Sequence, residues 1–296
     1  MNAFQLKILA CVFMVVDHIA LFLPTMPVWM HWLGRLSAPL FLLLCGWSCV
    51  FTSNIRRYVV RLYAASVLMS FIDAALSWYM SFHALSGVSP DNNIFRTLFH
   101  TSLIIALLSD SQRSRKIRNL GIYALAQIAG AFVLELLSAT PAPPCLFGMA
   151  EALLGSLVDL EGGLLTVMLG VSLWAVRESR SRTSLTLIAF SVFHAVMSAT
   201  SLIPLTTKLL VENPGPSTTA FTQSLLSFLG IAFQTLGQSA FSVNYQWMMV
   251  FTLPFMLIYN RRRGRSWKWF FYLFYPAHIM ALFFLGQIIP PYWWLV

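Results

Sequence analysis

Apolar runs long enough to cross a bilayer recur from one end of this chain to the other, and no soluble stretch separates them. A hydrocarbon core about 30 Å thick takes about 20 residues of helix. Runs near 5–23, 33–51, 60–82, 94–109, 119–139, 162–176, 184–204, 245–259 and 269–289 meet or approach that length. Of 296 residues, 58% are hydrophobic and 10% are charged, and the mean hydropathy is +0.73. A soluble domain carries about 25% charged residues. The reading is an all-α, polytopic integral membrane protein with about nine or ten transmembrane helices, forming one domain over 1–296.

The net charge of +9 collects in short clusters between apolar runs: Arg56, Arg57 and Arg61; Arg113, Arg115, Lys116 and Arg118; Arg177, Arg180 and Arg182; and Arg261 to Lys268. The intervening loops at 24–32, 83–93, 140–161 and 205–244 carry few positive charges. With nine spans and a cytoplasmic N-terminus, every basic cluster falls on the cytoplasmic side and Val296 on the other. No basic stretch extends into a soluble domain, which argues against a nucleic-acid surface. Two apolar segments are left over. Residues 145–158 are too short to span comfortably, and a crossing at 221–239 would export the Arg261–Arg263 cluster. Both are expected to be re-entrant or interfacial helices on the outer side, the second entered through the turn-rich Asn213–Ser217. The first run has no A-x-A-like cleavage site and is expected to be retained. Cys11, Cys45, Cys49 and Cys145 contain no CxxC, and Cys45 and Cys49 read as packing residues, so no metal is expected.

Polar residues inside these runs are expensive. A charged group at mid-bilayer costs about 2.5–3.5 kcal/mol on insertion scales and usually marks function. Asp17 and His18 are adjacent in the first run, Arg35 opens the second, and Asn92 and Asn93 open the fourth. Asp159 and Glu161 precede the sixth, and His278 follows Tyr275-Pro276 in the last. Lys7 and His18 are eleven residues apart, so they share a helix face and stand roughly 16 Å apart along the axis. An imidazole held beside a carboxylate has the orientation and tautomer a general base needs. Plainer readings stand beside these. Lys7 and Arg35 can snorkel to the interface, and Asp17-His18 can itself be interfacial. His278 can satisfy a carbonyl freed by the proline kink. His194, Asp73 and Glu135 read as helix–helix hydrogen bonds, His31, His83 and His100 as near-interface residues. Trp29, Trp32, Trp293 and Trp294 read as interfacial belts.

The segments Leu6-Lys7-Ile8, Met14-Val15-Val16-Asp17-His18-Ile19 and Leu33-Gly34-Arg35-Leu36-Ser37-Ala38-Pro39-Leu40-Phe41 together resemble the start of the TraX family of conjugative-pilus proteins. Asn93-Ile94-Phe95 is similar to the family's Asn-Ile segment, and Phe274-Tyr275-Pro276-Ala277-His278-Ile279 resembles its closing Tyr-x-x-His motif. Glu161-Gly162-Gly163-Leu164-Leu165 is similar to a Tyr-Gly-x-x-Gly-Leu stretch, with Glu161 replacing the tyrosine and a different glycine spacing. The resemblance implies an inner-membrane acetyltransferase that uses cytoplasmic acetyl-CoA to modify a pilin N-terminus across the membrane. It extends in pattern to a wider group of multi-pass acyltransferases. By that resemblance His18 is the catalytic base with Asp17 as its partner, and Lys7, Arg35, Asn93, Tyr275 and His278 are donor or substrate contacts. The stretch 205–244 looks like an insertion on the acceptor side, so an envelope glycan is an alternative acceptor. Lipid is the other partner expected.

The implied chemistry is acyl transfer. The CoA nucleotide stays by the basic loops, its pantetheine arm reaches His18, and Arg35 or Asn93 steadies the oxyanion. Two competing classes remain at this point. One is a proton-coupled transporter, since intramembrane Asp, His and Lys also mark ion pathways, although no repeat-related halves are visible. The other is a non-enzymatic pilus-assembly protein.

Overall fold

The computed structural model describes residues 1–23, 25–83, 85, 93–141, 144–200 and 216–289. Asn92, Trp293, Trp294, Val296 and the turn at 213–215 lie outside the described residues. Among those described, every regular element is helical: α1 (Ala3–Phe22), α2 (Trp29–Gly34), α3 (Ser37–Phe51), α4 (Ile55–Phe82), α5 (Ile94–Leu108) and α6 (Arg113–Ser138). There follow α7 (Pro144–Leu154), α8 (Gly163–Ala175), α9 (Arg180–Ala199), α10 (Pro216–Leu229), α11 (Leu253–Leu257) and α12 (Lys268–Ile288). Short 3-10 segments lie at Phe233–Thr235 and Tyr245–Thr252.

Among the described residues, six stretches are long and apolar enough to cross a membrane: Ala3–Phe22, Trp29–Phe51, Ile55–Phe82, Arg113–Ser138, Arg180–Ala199 and Trp269–Ile288. The chain is thus a multi-pass membrane protein. Two further expected spans are shorter helices, α5 with 15 residues and α8 with 13. At 1.5 Å per residue these reach roughly 20–23 Å, less than the hydrocarbon thickness. The run at 245–259 is not one α-helix: eight residues of 3-10 helix lead into a single α-turn, α11. A continuous apolar run tells nothing of helix type, and the steeper 3-10 rise of about 2 Å per residue lengthens the segment.

Polar caps set several helix starts. Asn2 accepts from the Gln5 amide while the Gln5 side chain accepts from the Asn2 amide, a reciprocal capping box at α1. Asn54 and Ser179 cap α4 and α9 in the same sense. α3 is the central column, packed against α1, α5 and α8, and α12 lies against α1. α6 is peripheral: Ile122, Leu125, Ile128 and Phe132 point outward, and of its residues Gly130 and Leu134 alone are buried. Glu135 is exposed there rather than bridging to another helix.

Residues 145–158, expected to be re-entrant or interfacial, fall in α7 and in the irregular stretch 155–162 that follows it before α8. Irregular backbone at membrane depth survives only where protein satisfies its polar groups. Gln127 donates to Gly155 O, His100 Nε2 to Ser156 O, Arg96 to Asp159 O, and Thr97 to Glu161 O. The Leu157 amide donates to Gln127 Oε1. The Arg96 guanidinium also pairs with Glu151 of α7 at 2.6 Å, both side chains being about 6% exposed. The turn ends at Gly162 and Gly163, both at positive φ, where the chain touches the backbone of Gly230. A Cβ on Gly163 would overlap Gly230, and one on Gly230 would overlap Gly162. Two irregular segments cross at this all-glycine contact.

Candidate functional site

α1 carries the key stripe. Lys7, Cys11, Met14 and His18 follow at steps of four, three and four residues, which places them on one face. Cys11, Met14 and His18 are buried. Opposite stand Phe271, Tyr275 and His278 of α12, spaced in the same way. His18 Nδ1 lies 2.7 Å from His278 Nε2, with the two rings nearly parallel, and His278 Nδ1 donates to Phe274 O at 2.9 Å. Both rings are buried, at 4% and 8% exposure. Pro276 frees the carbonyl of Tyr272, four residues back. His278 bonds a different carbonyl, so relief of the kink is not what holds it.

Asp17 does not orient His18. Successive residues of an α-helix point about 100° apart, and the two side chains leave α1 in different directions. Asp17 Oδ2 accepts from Arg35 Nη2 at 2.6 Å, and Asp17 Oδ1 accepts from His31 Nδ1 at 2.8 Å. Gly34 makes room for this, because a Cβ there would occupy the space of the Asp17 carboxyl group. Arg35 Nη1 also donates to Gln246 Oε1, and its guanidinium lies 5.5 Å from the Tyr245 ring centroid. Tyr245 stacks on His31 in turn. Arg35 therefore serves an ion pair linking α1 to the 245–252 segment, where the sequence suggested a contact to the reacting carbonyl.

Asn93 is likewise engaged. Its Oδ1 caps α5 through the Arg96 amide, and Nδ2 donates to Ser66 O and Ser70 Oγ. With both amide hydrogens bonded to α4, Asn93 ties α5 to α4. The Tyr275 hydroxyl accepts from the Ile94 amide and donates to Glu161 Oε2. His31 and the Arg96–Glu151 pair were not singled out from the sequence. Their partners lie far off in the chain, and only the cost of a buried charge could have flagged Arg96 and Glu151.

Between α1, α3, α4, α5, α12 and the 263–267 segment lies a cavity of about 180 Å³. Its walls are largely apolar and aromatic, including Phe41, Leu44, Phe95 and Phe271. Among the described residues, every charged one that lines it is a cation: Lys7, Arg61, Arg263 and Arg265. The Lys7 ammonium lies 5.5 Å from the Phe271 ring centroid and has no hydrogen-bond or ion-pair partner among the described residues. Met14 and Tyr275 also line the cavity. Each stands about one helical turn from the histidine pair, and the His18 and Tyr275 ring centroids are 6.3 Å apart. The arrangement is a slot with cations along it, stopping about one turn short of paired imidazoles.

Cys45 lines the same slot, with Tyr58 donating to its sulfur and its thiol donating to Leu98 O. Cys11, Cys45 and Cys49 are free thiols. Among the described residues no group of three or more His, Cys, Asp or Glu side chains could hold a metal ion.

A family model described as "TraX protein" matches residues 3–211, well over half of the chain. The matched stretch contains Lys7, Asp17, His18, Arg35 and Asn93 and stops before Tyr275 and His278. No curated protein and no solved structure matches the chain.

Proposed function

The chain belongs to the TraX family, and from that premise we propose that it is a membrane-embedded acyltransferase that moves an acetyl group from acetyl-CoA to an acceptor on the far side of the membrane. The observation that carries the reading is the slot: among the described residues four cations and no carboxylate line it, and its inner end approaches the His18–His278 pair. A polyanionic head on a thin, mostly apolar arm with a reactive end has that complementarity. In acetyl-CoA the head is a nucleotide and the arm is pantetheine. Arg61, Arg263 and Arg265 hold the phosphates at the cytoplasmic surface of the inner membrane, since phosphates enter hydrocarbon only at high cost.

The acceptor is a pilin N-terminal amine or an envelope glycan hydroxyl. It comes from the opposite end, past the half-buried Asp17, His31 and Arg35. Its nitrogen or oxygen attacks the thioester carbonyl and gives up a proton to His18. The C–S bond then breaks, and the CoA thiolate takes that proton. Asp17 enters as the anchor of the Arg35 ion pair, and Asn93 as a cap and helix bolt.

Intact-mass analysis of envelope proteins and glycans tests this, comparing cells that express the chain, cells that lack it, and cells with His18→Ala at equal membrane abundance. One acetyl unit on one acceptor, present with the chain and lost in both other strains, is the expected result. An acceptor that remains acetylated in the His18→Ala strain removes His18 as base, and identical spectra in all three remove the transferase reading.

A further inference from the structure

The geometry points to His278 as a positioning residue that fixes the tautomer of His18, so that Nε2 of His18 is the nitrogen that takes the proton. A hydrogen-bond chain runs from Phe274 O through His278 to His18. A carbonyl oxygen can only accept, so the 2.9 Å bond to Phe274 O requires a hydrogen on His278 Nδ1. A neutral imidazole carries one N–H, which leaves a lone pair on His278 Nε2. The 2.7 Å bond from that nitrogen to His18 Nδ1 must then be donated by His18. His18 Nδ1 holds the hydrogen, and Nε2 carries the lone pair.

A carboxylate commonly performs this task, and the sequence places one beside His18. Asp17 is committed to Arg35 and His31, however, and a neutral ring does the same work without adding a second buried charge at membrane depth. The pair has a further consequence for the charged state. When His18 Nε2 accepts a proton, the hydrogen on Nδ1 can pass to His278 Nε2. His278 is then the cation and His18 is neutral with its hydrogen on Nε2. No atom is gained beyond the one proton, and the positive charge is shared by two rings.

This inference uses the reading of His18 as base, but its first test does not depend on any acyl transfer. Nitrogen NMR of histidine-labelled protein in detergent or nanodiscs separates protonated from lone-pair ring nitrogens, with His18 assigned through His18→Gln. In the neutral wild type, His18 is expected with its hydrogen on Nδ1. In His278→Ala the hydrogen moves to Nε2, and in His278→Gln, whose side-chain carbonyl can accept from Nδ1, it stays on Nδ1. A wild-type His18 protonated on Nε2, or a His278→Ala protein unchanged from wild type, overturns the assignment. Size-exclusion profiles verify that the variants fold, and His278→Leu, which likewise offers His18 Nδ1 no acceptor and should move the hydrogen to Nε2, stands in if the alanine variant does not.

The second readout is kinetic. His278 does not line the slot, so its alanine variant should lower kcat about 10- to 100-fold, by analogy with the loss of a partner that orients a metal-bound histidine, with KM for acetyl-CoA unchanged. His278→Gln should recover most of the loss. A KM rise with kcat intact would make His278 a donor contact and refute the positioning role. Absence of turnover in the wild type would strike the transferase reading and leave the tautomer result standing.

Discussion

Removing the Glu151 carboxylate should be among the most damaging single changes in this protein, because it strands the Arg96 guanidinium. Arg96 and Glu151 are 5% and 4% exposed, and Nη1 lies 2.6 Å from Oε2. Breaking such a pair from one side typically costs about 3–5 kcal/mol, since the surviving charge stays buried without compensation. Glu151→Ala is expected in that range, read as the loss of unfolding free energy in SDS titrations of mixed micelles or by steric trapping. The double variant Arg96→Met with Glu151→Leu should cost less than the single one. It removes both charges of the pair and gives up the bond to Asp159 O, for which about 1–3 kcal/mol is the usual penalty. Amide exchange at Leu157 and Val158 should rise in both, because the 155–162 segment loses a clamp. The exposed Arg115–Asp110 pair is the control. There the Gln112 amide and the Arg115 guanidinium hold the Asp110 carboxyl below its usual range, yet the site is solvated, and Asp110→Ala should leave the midpoint within error. A Glu151→Ala cost below about 1 kcal/mol, or a double variant worse than the single, would refute the claim that the pair sits in a dry interior.

Two further outcomes follow from the packing and from the slot. Gly163→Ala must carry a Cβ at φ +65° against the backbone of Gly230 and should destabilise by more than about 2 kcal/mol, whereas Gly121→Ala, in open space on α6, should be neutral or stabilising by up to about 1 kcal/mol; equal effects in the same titration would contradict the crossing. Cys45 lines the slot, so acetyl-CoA should slow its reaction with a small maleimide several-fold, and Arg263→Ala with Arg265→Ala should weaken that protection and its salt dependence; protection that survives both substitutions would place the nucleotide elsewhere.

How far the sequence could lead depended on whether the information was local. Hydropathy over about 20 residues is a local property, so the long helices α1, α4, α6, α9 and α12 coincide with apolar runs. The eleven-residue step from Lys7 to His18 is also local, and helix periodicity places the two residues on one face. Chain adjacency misleads in the same place: Asp17 and His18 look like an acid–base pair, and helix rotation sends one to Arg35 and His31 and the other to His278, 260 residues away. The glycines at 162 and 163 are visible in the sequence, but their partner Gly230 is not, because a backbone crossing leaves no periodic mark. Arg96 and Glu151 carried the one usable warning, two charges in apolar runs, and that warning does not say which charge meets which. The function of the site therefore rests on contacts between distant turns: a slot lined by cations from α1, α4 and the 263–265 segment, approaching a histidine from each end of the chain. Substitutions that leave hydropathy untouched, such as His278→Gln against His278→Ala, are the ones that separate this arrangement from a bundle tied together by polar residues.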